Sequence, residues 1–268
     1  MNTAGTILSK LRNKDKVSGE DLAKKLDLSR TAIWKAINTL RDMGYGIDGD
    51  HKGYTLVKVP DILYPFELTP LLKTTVIGVQ IDHSMSVGST NEKARQFAEA
   101  GWPDGGVIIS EKQETGKGRL GRVWSSPPGG IWFSMLLRPR MSPSEAPTLT
   151  LAGGVAVAEA LANLGFDARL KWPNDILLGD KKVCGILTEM NAEMERINYI
   201  IMGIGINANC TSDELPKEVR GRATTLLEVQ GSSVDRKRLL VDILTIFEGL
   251  YNKGQKEIIS RWKKRSST

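Results

Sequence analysis

The sequence predicts an α+β protein in two unequal units, and three observations carry that expectation. The first 58 residues read as short helices closed by a hairpin. Three prolines crowd the stretch that follows, and from Val76 onward apolar runs of strand length alternate with helical patterns. At 268 residues the chain exceeds the usual single-domain size, so two cores are expected. An apolar fraction of 40% and a charged fraction of 25% are ordinary for a globular protein. No apolar run reaches the roughly 20 residues of a membrane span, and Met1–Leu11 lacks the apolar segment of a signal peptide. The two cysteines, Cys184 and Cys210, are too few for a disulfide framework or a cysteine-rich metal site. Both sit in apolar runs and read as buried, inert thiols, so a reducing cytoplasm is the expected compartment.

In the first unit, Ile7, Leu8 and Leu11 share one helical face. Ser18-Gly-Glu-Asp21 is a capping-box pattern ahead of Leu22 and Leu26. After the short break at Asp27-Leu28, Ser29 can cap a third helix that buries Ile33, Ile37 and Leu40. Two short helices across so tight a turn form a helix-turn-helix signature. The outward face of the third helix carries Arg30, Thr31, Trp34, Lys35, Asn38 and Arg41, residue types suited to phosphates and base edges. Gly44 ends that helix. Tyr45-Gly-Ile-Asp and Tyr54-Thr-Leu-Val then flank a turn-rich Gly49–Gly53, a hairpin placed where a wing belongs, with His51 and Lys52 at its tip. Through Lys58 there are 11 basic against 7 acidic residues, most of the chain's net charge of +6. That balance suits a nucleic-acid partner, although a helical docking module would show the same pattern.

Pro60, Pro65 and Pro70 each deny a helix or central strand its donor. They set the expected boundary, leaving 1–60 as a winged helix and 71–268 as a second domain. There, Val76–Ile81, Val107–Ser110, Ile131–Leu137, Ala168–Leu170, Val183–Met190 and Tyr199–Ile206 read as strands, and Asn91–Glu99, Leu149–Leu164 and Arg236–Tyr251 as helices. Short turns such as Gly179-Asp180-Lys181 join consecutive strands, which predicts a mixed or antiparallel sheet rather than a doubly wound parallel one.

Three clusters on the connections carry chemistry. Ser89-Thr-Asn-Glu92 is a second capping-box signature, which would set small polar side chains at a helix N-terminus; a well-capped helix is the plain alternative. Gln113-Glu-Thr-Gly-Lys-Gly-Arg-Leu-Gly-Arg122-Val-Trp124 alternates glycines with cations, so backbone can approach a polyanion that Lys117, Arg119 and Arg122 neutralise. It has neither the Walker A spacing nor the strand-to-helix context of a dinucleotide fingerprint; its alternative is a flexible basic surface loop. Lys171-Trp-Pro-Asn-Asp175, followed by Lys182, offers a cation, an amide and a carboxylate from one turn, and Asp175 can share Mg²⁺ with phosphate oxygens. A purely structural turn is the competing reading.

Together these motifs resemble the biotin protein ligase family, in order and spacing. The Gly-Lys-Gly-Arg-Leu-Gly-Arg-x-Trp run, the Lys-Trp-Pro-Asn-Asp turn, the Lys182-Val-Cys-Gly-Ile-Leu strand, Ser89-Thr-Asn91 and Gly203-Ile-Gly-Ile-Asn207 all fit. With the N-terminal helices, the chain is similar to class II bifunctional ligases that also repress biotin operons. The resemblance implies a class II synthetase-like mixed sheet flanked by helices. It also implies two half-reactions: biotin and ATP give biotinyl-5′-AMP and pyrophosphate, and the acyl group passes to a lysine of a biotin carboxyl carrier protein. The biotin carboxylate is its own nucleophile, so the protein must supply positioning and charge.

Carried over position by position, the resemblance implies that Ser89, Thr90, Asn91, Gln113, Lys117, Gly118, Arg119 and Lys182 bind biotin, with Lys182 and Arg119 catalytic. It implies that Arg122, Trp124, Lys171, Asp175 and Asn207 serve ATP and the adenylate, with Mg²⁺ at Asp175. Arg30, Thr31, Trp34, Lys35, Asn38 and Lys52 would meet operator DNA, and the adenylate-bound form would be a homodimer. Lys117 stands where the family often has arginine. Arg261-Trp-Lys-Lys-Arg-Ser-Ser-Thr268 resembles the family's passage into an SH3-like domain, which this sequence is expected to lack. Two alternatives follow from the sequence: a biotin-sensing repressor with little transfer activity, and a lipoate or octanoyl ligase, which the biotin-type glycine-rich loop disfavours.

Overall fold

A computed structural model of the chain describes residues 3–13 and 16–267. It divides into two compact units, residues 1–62 and 63–268.

In the first unit, α1 (Thr3–Arg12) buries Ala4, Ile7, Leu8 and Leu11, the one-face spacing of an amphipathic helix. The Ser18 hydroxyl accepts from the Asp21 N–H at 3.0 Å and starts α2 (Gly19–Leu26). Asp27 ends it in the left-handed region at φ 52°, a conformation aspartate tolerates better than most residues. Ser29 accepts from the Ala32 N–H at 3.1 Å and starts α3 (Arg30–Asp42), whose Ile33, Ile37 and Leu40 are buried. Strands β1 (Gly46–Asp50) and β2 (Gly53–Lys58) form the antiparallel hairpin. The Asp50 carboxylate accepts the Lys52 and Gly53 N–H groups across the turn. Gly53 is required at φ +140°, because a Cβ there would collide with the Val17 carbonyl. Arg41 is exposed on α3, as expected, and also has a structural role. Its guanidinium donates twice to the Ile47 carbonyl, at 2.9 and 2.8 Å, and to Asn38 Oδ1, so it fastens the hairpin to α3.

The second unit begins with the short α4 (Pro65–Leu68). Its sheet comprises β3 (Ile81–Ser84), β4 (Gly106–Ser110), β5 (Ile131–Leu137), β6 (Ala168–Lys171), β7 (Asp175–Leu178), β8 (Lys181–Glu193) and β9 (Arg196–Ile206). The spatial order is β3-β4-β5-β9-β8-β7-β6. Only β3 and β4 run parallel, so the sheet is mixed and mainly antiparallel, as the short turns require. Helix α5 (Thr90–Glu99) follows β3 and α6 (Pro147–Asn163) follows β5. After β9 come α7 (Lys217–Arg220), α8 (Leu226–Gln230), α9 (Arg236–Tyr251) and α10 (Gln255–Lys264).

Strand alternation assigns the two faces of the sheet. Phe133 and Met135 of β5, Ile186 of β8 and Met202, Ile204 and Ile206 of β9 enter the main core with α6 and α9. Gly153 lets α6 approach closely, since a Cβ there would stand 2.8 Å from Met202 Sδ. The opposite face packs Ile108, Leu136 and Ile201 against Ala94 and Ala98 of α5. On that same face, farther along the strands, apolar residues give way to Ser134, Gly185, Gly203 and Gly205. The candidate site lies there.

One expectation needs correction. The run Val76–Ile81 is not a strand, which starts only at Ile81. The Glu248 carboxylate takes the N–H groups of Thr75, Val76 and Ile77, and Gly78 turns the chain at φ +77°. Residues 261–264 belong to α10, where the Arg261 guanidinium grips both oxygens of Glu159. The next residues pair with β6 through Ser266 and Leu170; Thr268 lies outside the described residues. Both cysteines are buried, and burial pushes the Cys210 thiol up to about 11 and that of Cys184 higher still, so both stay protonated. Among the described residues no helix is long and apolar enough to cross a membrane.

Candidate active site

Gly203 and Gly205 occupy alternate positions of β9 and therefore open adjacent spaces on one face of the sheet, about 7 Å apart. Asn91 fills the first: a Cβ on Gly203 would collide with its Oδ1. The Trp124 indole fills the second and lies over Gly205 and its cross-strand neighbour Gly185. Its buried Nε1–H meets no acceptor among the described residues. Lys182 Nζ stands 4.9 Å from the Trp124 ring centroid and 2.6 Å from Asp175 Oδ1. The ion pair bridges neighbouring strands β7 and β8 and is half-exposed at both ends.

At the other end, Ser89, Thr90 and Asn91 are buried at the start of α5. The capping box expected here does not form. Ser89 sits at the N-cap with extended backbone but makes no side-chain cap bond, and the Glu92 carboxylate is drawn away to pair with Lys117. Gln113 caps the helix instead: its Oε1 accepts from Thr90 N–H at 2.8 Å and Thr90 Oγ1 at 3.1 Å, while its Nε2 donates to Ser126 Oγ. A long-range contact thus replaces the local one.

The glycine-rich loop folds back on itself. Gly118 N–H donates to the Arg122 carbonyl at 2.7 Å and Trp124 N–H to the Gly116 carbonyl at 2.8 Å. Gly116 is forced by space, because a Cβ would strike the Trp124 carbonyl. Arg119 Nη1 donates to Asn174 Oδ1 at 3.2 Å, joining the loop to the Lys171–Asp175 turn, and Arg122 and Lys171 are exposed. Asn174 is held in turn by Ile186, to which its Nδ2 donates at 2.8 Å. Buried Asn207 donates from Nδ2 to the Thr224 carbonyl, so part of its capacity holds the neighbouring chain. The candidates on the first unit lie on α3 and the hairpin tip. Arg30, Thr31, Trp34, Lys35, His51 and Lys52 are exposed; Arg30 pairs with Glu20 at 2.6 Å, and half-buried Asn38 accepts from Arg41.

Three residues of the candidate site escaped the sequence reading, Ser126, Ser134 and Glu189, and Glu92 was read only as a capping residue. Ser134 had a visible signal, a lone hydroxyl in the apolar run Ile-Trp-Phe-Ser-Met-Leu-Leu. Glu189 had none, because its partner Asn91 is 98 positions away.

Comparison with known proteins adds independent findings. Residues 84–207 match the biotin/lipoate A/B protein ligase family, and residues 4–55 match an HTH domain. The chain is 42% identical to the bifunctional ligase/repressor BirA of Bacillus spizizenii over 238 residues, which is 88% of this chain and 73% of that protein. It is 33% identical to the protein of the same name from Escherichia coli over 268 residues, 96% of this chain and 80% of that one. Among solved structures, the biotin protein ligase from Aquifex aeolicus in complex with biotin and ATP aligns with a TM-score of 0.60 at 34% identity, covering 70% of this chain and 79% of that one.

Proposed function

The chain belongs to the bifunctional ligase/repressor family of biotin/lipoate protein ligases, and from that premise we propose how its residues divide the work of biotin activation, transfer and DNA binding. The activity is that of an ATP-dependent biotin ligase joined to a DNA-binding repressor. The observation that carries the site assignment is the glycine face of β9, which sets the α5 cluster beside Trp124, Lys182 and Asp175.

In this reading Ser89, Thr90, Asn91 and Gln113 hold the polar ring of biotin, and the ligand's tail runs along the glycine face toward Lys182. The biotin carboxylate attacks the α-phosphate of ATP, a P–O bond forms, and pyrophosphate leaves. Lys182 stabilises the negative charge gathered where carboxylate and phosphate meet. Lys117, Gly118 and Arg119 close over the ligand, while Trp124, Arg122, Lys171 and Asn207 serve the nucleotide. In the second half-reaction the acceptor lysine amine attacks the acyl carbon, and AMP departs.

Asp175 is the carboxylate that would hold Mg²⁺. One carboxylate suits an ion that takes its remaining ligands from phosphates and water, and no cluster of three or more His, Cys, Asp or Glu offers another metal site among the described residues. When bound, the ion supplies neutralisation of phosphate charge. The chain's own part is to let the Lys182–Asp175 pair separate, Lys182 taking the negative charge of the substrate and Asp175 being freed to hold the ion.

Helix α3 enters the major groove through Arg30, Thr31, Trp34, Lys35 and Asn38, with Lys52 reaching a phosphate from the wing. Two copies bind as a homodimer, and the outer edge of β8 is the surface offered for it: β7 pairs only with Lys181–Gly185, while β8 continues to Glu193.

Mass spectrometry of a carrier domain incubated with the protein, biotin and ATP tests the ligase reading. The expected result is one added biotinyl group, and an unmodified acceptor would overturn it. For the repressor, operator affinity should fall steeply as salt rises. Sedimentation with biotin and ATP should give a dimer; a monomer carrying the adenylate would count against dimeric repression.

A further inference from the structure

The α5 cluster is one end of a buried hydrogen-bond chain whose direction is fixed from outside it. Asn91 Nδ2 lies 2.7 Å from Glu189 Oε2, and the other Glu189 oxygen accepts from Arg95 at 2.9 Å. Asn91 Oδ1 lies 2.6 Å from Ser134 Oγ, Ser134 Oγ lies 2.8 Å from Thr90 Oγ1, and Thr90 Oγ1 lies 3.1 Å from Gln113 Oε1. Ser134 is fully buried, and Asn91 and Thr90 nearly so. An ionised carboxylate can only accept. Glu189 therefore obliges Asn91 to face it with nitrogen and to turn its carbonyl oxygen toward Ser134.

The protons then follow by count. The single hydroxyl proton of Ser134 goes to Asn91 Oδ1, so Ser134 can meet Thr90 only as an acceptor. The Thr90 proton goes to Ser134 Oγ or Gln113 Oε1, both acceptors, and the Thr90 oxygen keeps its remaining lone-pair capacity for a ligand. A cyclic urea such as the polar ring of biotin offers N–H donors to such an acceptor. If the Asn91 amide turned over, its nitrogen would donate to Ser134, the Ser134 proton would pass to Thr90, and one of the two Thr90 lone pairs would be occupied.

We propose that Glu189 is a positioning residue which, through Asn91 and Ser134, sets the donor–acceptor pattern with which the α5 cluster reads the biotin ring; this rests on the assignment of that cluster to biotin. Glu189 touches no reacting atom in this scheme. Gly203 belongs to the same device, because it admits Asn91 to the sheet surface where Ser134 can reach it.

The test is a set of variants assayed by biotin-dependent ATP–pyrophosphate exchange, with thermal unfolding recorded for each. Glu189→Ala removes the acceptor and should raise KM for biotin about tenfold, the scale of one lost buried hydrogen bond, with kcat changed by less than about twofold. Asn91→Asp sets two carboxylates against each other and should raise KM by at least as much. Adding Glu189→Gln to Asn91→Asp restores a donor facing an acceptor, while the oxygen of the introduced amide still serves Arg95, and should recover most of the lost affinity. A double variant no better than Asn91→Asp, or an unchanged biotin KM in a folded Glu189→Ala protein, overturns the proposal. A wild-type chain that fails to bind biotin removes the assignment on which it rests, an outcome the wild-type measurement distinguishes from both.

Discussion

At the α5 end of the site Thr90, Asn91 and Ser134 are buried and satisfied by one another and by Gln113, through neutral hydrogen bonds spanning 23 to 44 residues of chain, with the Glu189 carboxylate taking the Asn91 amide at the rim. At the Lys182 end Lys182 and Asp175 are half-exposed and held as an ion pair, and the glycine-rich loop is tied in the same way, Lys117 to Glu92. The difference matches the two tasks proposed for these ends. A neutral ring is recognised by hydrogen bonds that are directional and strong in a dry setting. Phosphate chemistry needs charges that can change partner as the substrate arrives, and exposed ion pairs separate at little cost. The buried end should thus be sensitive in stability and biotin affinity, and the exposed end in turnover.

The largest test of that division lies beneath the α5 cluster. Glu111 accepts from Leu63 N–H and Arg236, meets His83, and lies two residues before Gln113. Burial works to raise its carboxyl, but His83, Arg236 and the Leu63 N–H together hold it below the usual carboxylate range. Glu111→Gln removes the carboxylate that faces the Arg236 guanidinium, 1% exposed, and should cost about 3–5 kcal/mol in urea unfolding. A depressed carboxyl adds stability that is present above the ordinary carboxylate range and lost as pH falls below it. The variant should therefore show a flatter acid limb in its stability–pH curve.

Next comes Lys182→Ala, for which biotin-dependent exchange should fall about 10²–10³-fold while the thermal midpoint stays close to wild type. Exchange at the wild-type rate would remove Lys182 from the chemistry. Gly203→Ala should cost about 1–3 kcal/mol of stability and weaken biotin binding measured by calorimetry, because Asn91 must leave its place. Glu92→Gln should be mildest, within about 1 kcal/mol in stability, and its effect on turnover should fade as salt screens the pair. A stability loss from Glu92→Gln as large as that from Gly203→Ala would erase the contrast between the two ends.

Much of this was legible in local pattern. Ser18 and Ser29 start their helices, and the 3–4 spacing of Ile33, Ile37 and Leu40 gives the buried face of α3, because capping and helical periodicity act within a few residues. The glycine-rich loop and the Lys171–Asp175 turn announced themselves by composition. The reading failed where distant groups took over local ones. Glu248 captured the Val76 and Ile77 donors of an apparent strand, together with that of Thr75 before it, and Lys117 took Glu92 out of its capping box.

By itself the sequence determined the α+β class, the winged hairpin and the family-like motifs, all of them properties of short windows. Only the tertiary structure decided that Trp124 lies on Gly185 and Gly205, that Gln113 rather than Glu92 caps α5, and that Glu189 orients Asn91 from 98 residues away. The reason is physical. A hydrogen bond's direction depends on which atoms face each other, and strand pairing, not sequence neighbourhood, brings those atoms together.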